Sequence, residues 1–165
     1  MAITKKYGID VSYHQGVIDW QNVKSAGVEW VIIRGGYGNG NVDTQFVNNI
    51  TGAIAAGITN IGIYWLSYAH DADSAAVEVT QCLKTIEPYQ QYITLPVWFD
   101  WEEDSYSYVK QSKGVSLTAA QIQTIGIAWC NGITAAGYST GIYSNKSNAD
   151  GWFNRDNQYL WQYLN

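Results

Sequence analysis

Two carboxylates close an apolar run at Val97-Trp98-Phe99-Asp100-Trp101-Glu102-Glu103-Asp104. In a strand, side chains alternate, so Asp100 and Glu102 share one side with Trp98 while Trp101 points to the other. Two acids at the end of an apolar strand are costly to hold together. Repulsion and partial burial should raise the pKa of one of them, and a carboxyl that keeps its proton at neutral pH is what a general acid needs. Asp10 ends the apolar run Gly8-Ile9-Asp10 in the same way, just before a polar turn, and is placed to face the same cavity. An acid, a base and an electrostatic stabiliser all built from carboxylates is the arrangement that cleaves glycosidic bonds through an oxocarbenium-like transition state. Glu103 and Asp104 read instead as acids that cap a helix or solubilise a loop.

Other chemistries find less support. The two histidines, His14 and His70, have no paired-ligand spacing, so no metal site is expected. His14 reads as a residue at the site's edge or a structural one. No G-x-S-x-G elbow is present. Cys82 and Cys130 make neither a disulfide framework nor a zinc motif and read as buried thiols on helices. The glycine run at 35–41 precedes a helix opening on Asp43, which would repel phosphate. With 9 Lys+Arg against 14 Asp+Glu, the net charge of −5 excludes a basic nucleic-acid binder.

The elements that must position these acids alternate in type. Apolar, β-branched and aromatic runs at 8–12, 30–37, 60–69, 95–101 and 140–144 read as buried parallel strands, with a further short one at 159–164. Helical periodicity fills the segments between them, including 73–86 and 116–137, the latter opened by a Thr118/Gln121 capping box. Gly27, Gly57 and Gly137 stand where three helices should stop. Hydrophobic residues at 47% against 14% charged predict one folded domain over 1–165, and no apolar run approaches the roughly 20 residues of a membrane span. The alternation predicts an α/β fold with a parallel sheet, a βα barrel in preference to a doubly wound sheet because the polar and aromatic residues gather at strand ends. Eight Trp and 13 Tyr supply core, and also faces that can stack on sugar rings.

The ordered set GIDVSYHQGVIDW, VIIRGGYG, GIYWLSYA, the D-x-E pair in VWFDWEE, and AGYSTGIYSN resembles the strand motifs of the family 25 glycoside hydrolases, lysozymes of N-acetylmuramidase type, over residues 7 to 155. The resemblance implies an irregular TIM-like βα barrel. It would hydrolyse the β-1,4 bond between N-acetylmuramic acid and N-acetylglucosamine in peptidoglycan, with net retention and no cofactor or metal. By position, Glu102 matches the catalytic acid, Asp100 its partner carboxylate, which would orient the substrate N-acetyl group, and Asp10 the strand-one aspartate. Tyr64, Trp65 and Tyr143 match aromatic positions lining the family's substrate groove.

The match departs at the C-terminus, where the family continues into a late N-V-D segment whose aspartate completes the acidic site. The expectation is therefore a C-terminally short barrel lacking the last strand or two, whose open edge pairs with a second copy unless the chain is a truncated product. A non-catalytic glycan-binding barrel is the alternative. A metal-dependent deacetylase using Asp10 and His14 is a third reading, short of its other ligands. Peptidoglycan strands are the expected partner, with neither nucleic acid nor membrane insertion. The place of action would be the bacterial wall, reached as a phage endolysin or a bacterial autolysin.

Overall fold

The structure, a computed structural model, describes residues 6–153. Five parallel strands make its centre: β1 (Tyr7–Val11), β2 (Val28–Tyr37), β4 (Asn60–Leu66), β5 (Ile93–Asp100) and β6 (Thr140–Tyr143), hydrogen-bonded in that order. A two-residue strand β3 (Asn41–Val42) turns back antiparallel on the end of β2. The helices are α1 (Trp20–Ser25), α2 (Phe46–Ala55), α3 (Ala72–Ile86), α4 (Glu103–Lys113), α5 (Ala119–Ala135) and α6 (Lys146–Trp152).

Among the described residues the sheet is open, with β1 at one edge and β6 at the other. The parallel α/β layering expected from the sequence is present, and no closed barrel forms within 6–153. The strand expected at 159–164 lies outside the described residues.

Local chemistry accounts for the element boundaries. Gly27, Gly57 and Gly137 follow α1, α2 and α5 with φ of 87°, 77° and 90°, the left-handed stop that residues with a Cβ resist. Thr118 caps α5 as expected, its hydroxyl accepting from Gln121 N–H at 3.3 Å while the Gln121 side chain accepts from Thr118 N–H at 2.9 Å. Helix α4 was not legible from periodicity, because its sequence EDSYSYVKQSK is polar and buries only Ser105 and Val109. Glu103 and Asp104 sit in its first turn, where negative charge favours the helix dipole.

Strand alternation divides core from cleft. On β4 and the end of β5, Ile61, Ile63, Trp65, Val97, Phe99 and Trp101 are buried in the core shared with the helices. Their alternates Tyr64, Trp98, Asp100 and Glu102 line a cleft on the other face. Cys82 and Cys130 are buried free thiols on α3 and α5.

Candidate active site

The cleft has a volume of about 1000 Å³ and runs along the strands from Lys6, Trp30 and Asn60 up to Asp10, Asp100 and Glu102. Strand register brings its upper groups side by side. Arg34 on β2 pairs with Tyr64 on β4, Tyr64 with Trp98 on β5, and Asp100 with Tyr143 on β6. Asp10 lies at the other end of the row on β1, opposite Ile32. Lower in the cleft, the Trp30 ring lies so close over Gly8 that a Cβ there would collide with it.

Asp100 is 6% exposed, and its Oδ1 has no hydrogen-bond partner among the described residues. Burial, with the neighbouring Glu102 charge and a smaller push from Asp10, drives its carboxyl from 3.8 up to about 8; Arg34 opposes this. Glu102 is half-buried, and burial, then the charge of Asp104, moves it above the ordinary glutamate value. Both carboxyls are pushed in the direction that favours the protonated form, Asp100 further than Glu102. Glu102 is the N-cap residue just before α4, and its backbone N–H donates to Ser105 Oγ at 3.2 Å, which fixes where the helix starts and the acid emerges.

The aromatic residues divide. Tyr64 lines the cleft; burial is the main cause that raises its phenol to about 12, and the Ser12 side chain is within hydrogen-bonding reach. Tyr143 lines the cleft and is exposed, its phenol raised by burial and then by Glu102, Asp100 and Asp10. Trp65 does not reach the cleft. It is fully buried on the helix side, donating from Nε1 to Gly38 O at 3.0 Å, and a Cβ at Gly36 would lie 2.6 Å from its ring. Adjacent positions on a strand cannot both face one cleft, so Tyr64 and Trp65 had to part.

One residue that the sequence reading passed over, Arg34, lies near enough to the acids to act on Asp100. Arg34 is buried, and its Nε contacts Asp43 Oδ2 at 2.7 Å. Asp43 also accepts from Tyr13 N–H at 3.1 Å and Gln45 N–H at 2.9 Å, so it ties the turn after β1 to the end of β2. The signal was present: a charge inside the apolar run Trp30–Tyr37 demands a partner. Its partner, Asp43, looked like a helix opener. His14 is exposed, its ring 4.0 Å from that of Tyr13, at the edge of this region. Among the described residues, no three His, Cys, Asp or Glu are grouped to hold a metal ion.

The model of the glycosyl hydrolases family 25 matches residues 9–163. Lysozyme M1 of Streptomyces globisporus is 47% identical over 51 residues, covering 31% of this chain and 17% of that protein. A probable GH family 25 lysozyme 4 of Dictyostelium discoideum is 27% identical over 146 residues, covering 88% of this chain and 63% of its own length. The modular autolysin LytC of Streptococcus pneumoniae superposes with a TM-score of 0.81 at 26% identity over 95% of this chain and 36% of its own. A second structure of LytC is in complex with a synthetic peptidoglycan ligand. The chain thus spans less than two thirds of the length of each of these relatives.

Proposed function

The chain belongs to glycosyl hydrolases family 25, and from that premise we propose that it is an N-acetylmuramidase, cleaving the β-1,4 bond between N-acetylmuramic acid and N-acetylglucosamine in peptidoglycan. The observation that carries this reading is the convergence of Asp10, Asp100 and Glu102 on one cleft, with Asp100 buried and one of its oxygens unpartnered. Relatives named as lysozymes and an autolysin support it.

Glu102, the more open of the two β5 acids, gives its proton to the glycosidic oxygen as the bond to the anomeric carbon breaks. Asp100 orients the substrate N-acetyl group, whose carbonyl oxygen attacks the anomeric carbon. Asp10 adds negative charge beside the developing oxocarbenium ion. Water then opens the intermediate while Glu102 takes back a proton, and the configuration is retained overall. Tyr64 and Tyr143 line the sugar path.

The finer architecture belongs to the same reading: the open sheet is the arc of an irregular βα barrel, with its acids at the carboxyl ends of strands. Its place of action is the bacterial wall. No helix among the described residues is long and apolar enough to cross a membrane. Association with a second copy through an open sheet edge is a further part of the proposal, checked by the mass of the chain in solution.

The test compares wild type with Glu102→Gln on purified peptidoglycan. Release of reducing ends by wild type, reduced about 10²- to 10⁴-fold in the variant at unchanged thermal stability, is the expected result. Equal release by both proteins would remove Glu102 from the chemistry.

A further inference from the structure

A row of tyrosines leads away from the acids along the carboxyl ends of the strands. The Arg34 guanidinium carbon sits 4.7 Å from the centre of the Tyr13 ring and 5.9 Å from that of Tyr37. Tyr37 meets Tyr68 edge-on at 6.0 Å, and Tyr68 stacks on Tyr108 at 4.2 Å with their planes 19° apart. The rings come from four places: the turn after β1, the end of β2, the segment between β4 and α3, and helix α4. We propose that this row is a stacking platform for the sugar units of a glycan strand, extending the cleft beyond the acids. For its ligand the proposal rests on the muramidase reading.

Core packing does not account for the row. Tyr13 and Tyr108 are each 46% exposed, and because Tyr68 covers one face of Tyr108, the other face is turned to water. The inner end neighbours the site, since Arg34 pairs in register with Tyr64 and its charge acts on Asp100.

The row is also held in place at a cost. Tyr68 N–H donates at 2.8 Å to Glu78 Oε1, a carboxylate only 2% exposed whose pKa burial pushes up to about 7. Gly38, at φ +52°, would place a Cβ 3.1 Å from the Tyr68 ring, so the ring rests against backbone there. Glu78, bonded also by the Ser67 side chain, fixes the backbone that carries Tyr68, and a flat surface set on a fixed backbone loses little entropy on binding.

Charge selects the class of ligand. Asp104 lies close enough to Tyr68 to raise its phenol, after burial, and Arg34 at the inner end is neutralised by Asp43 at 2.7 Å. Rings beside the Asp104 carboxylate, with the neighbouring cation already paired, suit a sugar's C–H face and hydroxyls in preference to a phosphate backbone.

The experiment measures binding of peptide-free peptidoglycan glycan strands, and of the disaccharide unit alone, to the Glu102→Gln protein, which leaves strands intact. Adding Tyr108→Ala should weaken strand binding roughly three- to tenfold while the protein still unfolds in one cooperative transition. Tyr108→Trp should restore it, and the disaccharide should show no dependence on residue 108. Equal strand affinity in all three proteins, or a loss that Tyr108→Trp fails to repair, would overturn the platform. Reducing-end release by the protein with Glu102 intact is scored separately. Its absence would remove the hydrolase reading, while strand binding would still decide the row.

Discussion

Asp43, just after β3, and Asp100, the last residue of β5, are both buried aspartates, 3% and 6% exposed, yet they are treated in opposite ways. Asp43 receives the Arg34 guanidinium at 2.7 Å and two backbone N–H groups. Asp100 faces two other carboxyls, keeps an oxygen without a partner, and answers by holding its proton up to about pH 8. Burial costs both groups their hydration. In one place the fold offsets that cost with a cation and donors; in the other it leaves the cost standing. Uncompensated burial among other carboxyls fits Asp100 for chemistry, and the satisfied Asp43 is the scaffold that holds the turn carrying Tyr13.

The contrast can be broken by exchanging the two fates. Asp43→Ala strands the Arg34 charge in the interior, and urea denaturation should show a loss of about 3–5 kcal/mol. A loss under 1 kcal/mol would mean that the pair is not the support described. Asp100→Asn should instead leave stability intact or improved at pH 8, while hydrolysis falls roughly 10²- to 10³-fold.

The same carboxyl sets a pH dependence. Its folded value lies near 8 against an ordinary 3.8, so the folded chain binds this proton more tightly than the unfolded chain between those values. Its contribution to stability is full below about pH 4 and falls as pH rises towards 8. Denaturation midpoints at pH 5 and pH 8 should therefore differ more in wild type than in Asp100→Asn, and identical slopes would contradict the assignment. Trp65→Phe is expected to be the smallest effect, about 1 kcal/mol from losing the bond to Gly38 O. Glycan binding should be unaltered, because this ring is core.

The strands and the acids were legible from two signals: continuous apolar runs with glycine stops between them give the strands, and the period of two within a strand sorts Asp100 and Glu102 from Trp101. The division of Tyr64 from Trp65 was available from that same rule and was overridden by matching both to a groove. Helix α4 stayed hidden because its polar sequence is held by only two buried residues, Val109 and the capping Ser105. The Arg34–Asp43 pair could not be read as a pair, since nothing in nine residues of sequence says that the chain doubles back through β3. The tyrosine row joins residues as far apart as 13 and 108, and no local spacing announces it.

The most direct test of the central claim is the identity of the new chain ends that the protein makes in purified peptidoglycan, read by mass spectrometry after reduction. Fragments ending in reduced N-acetylmuramic acid are predicted. Fragments ending in reduced N-acetylglucosamine, or an unaltered polymer, would contradict it.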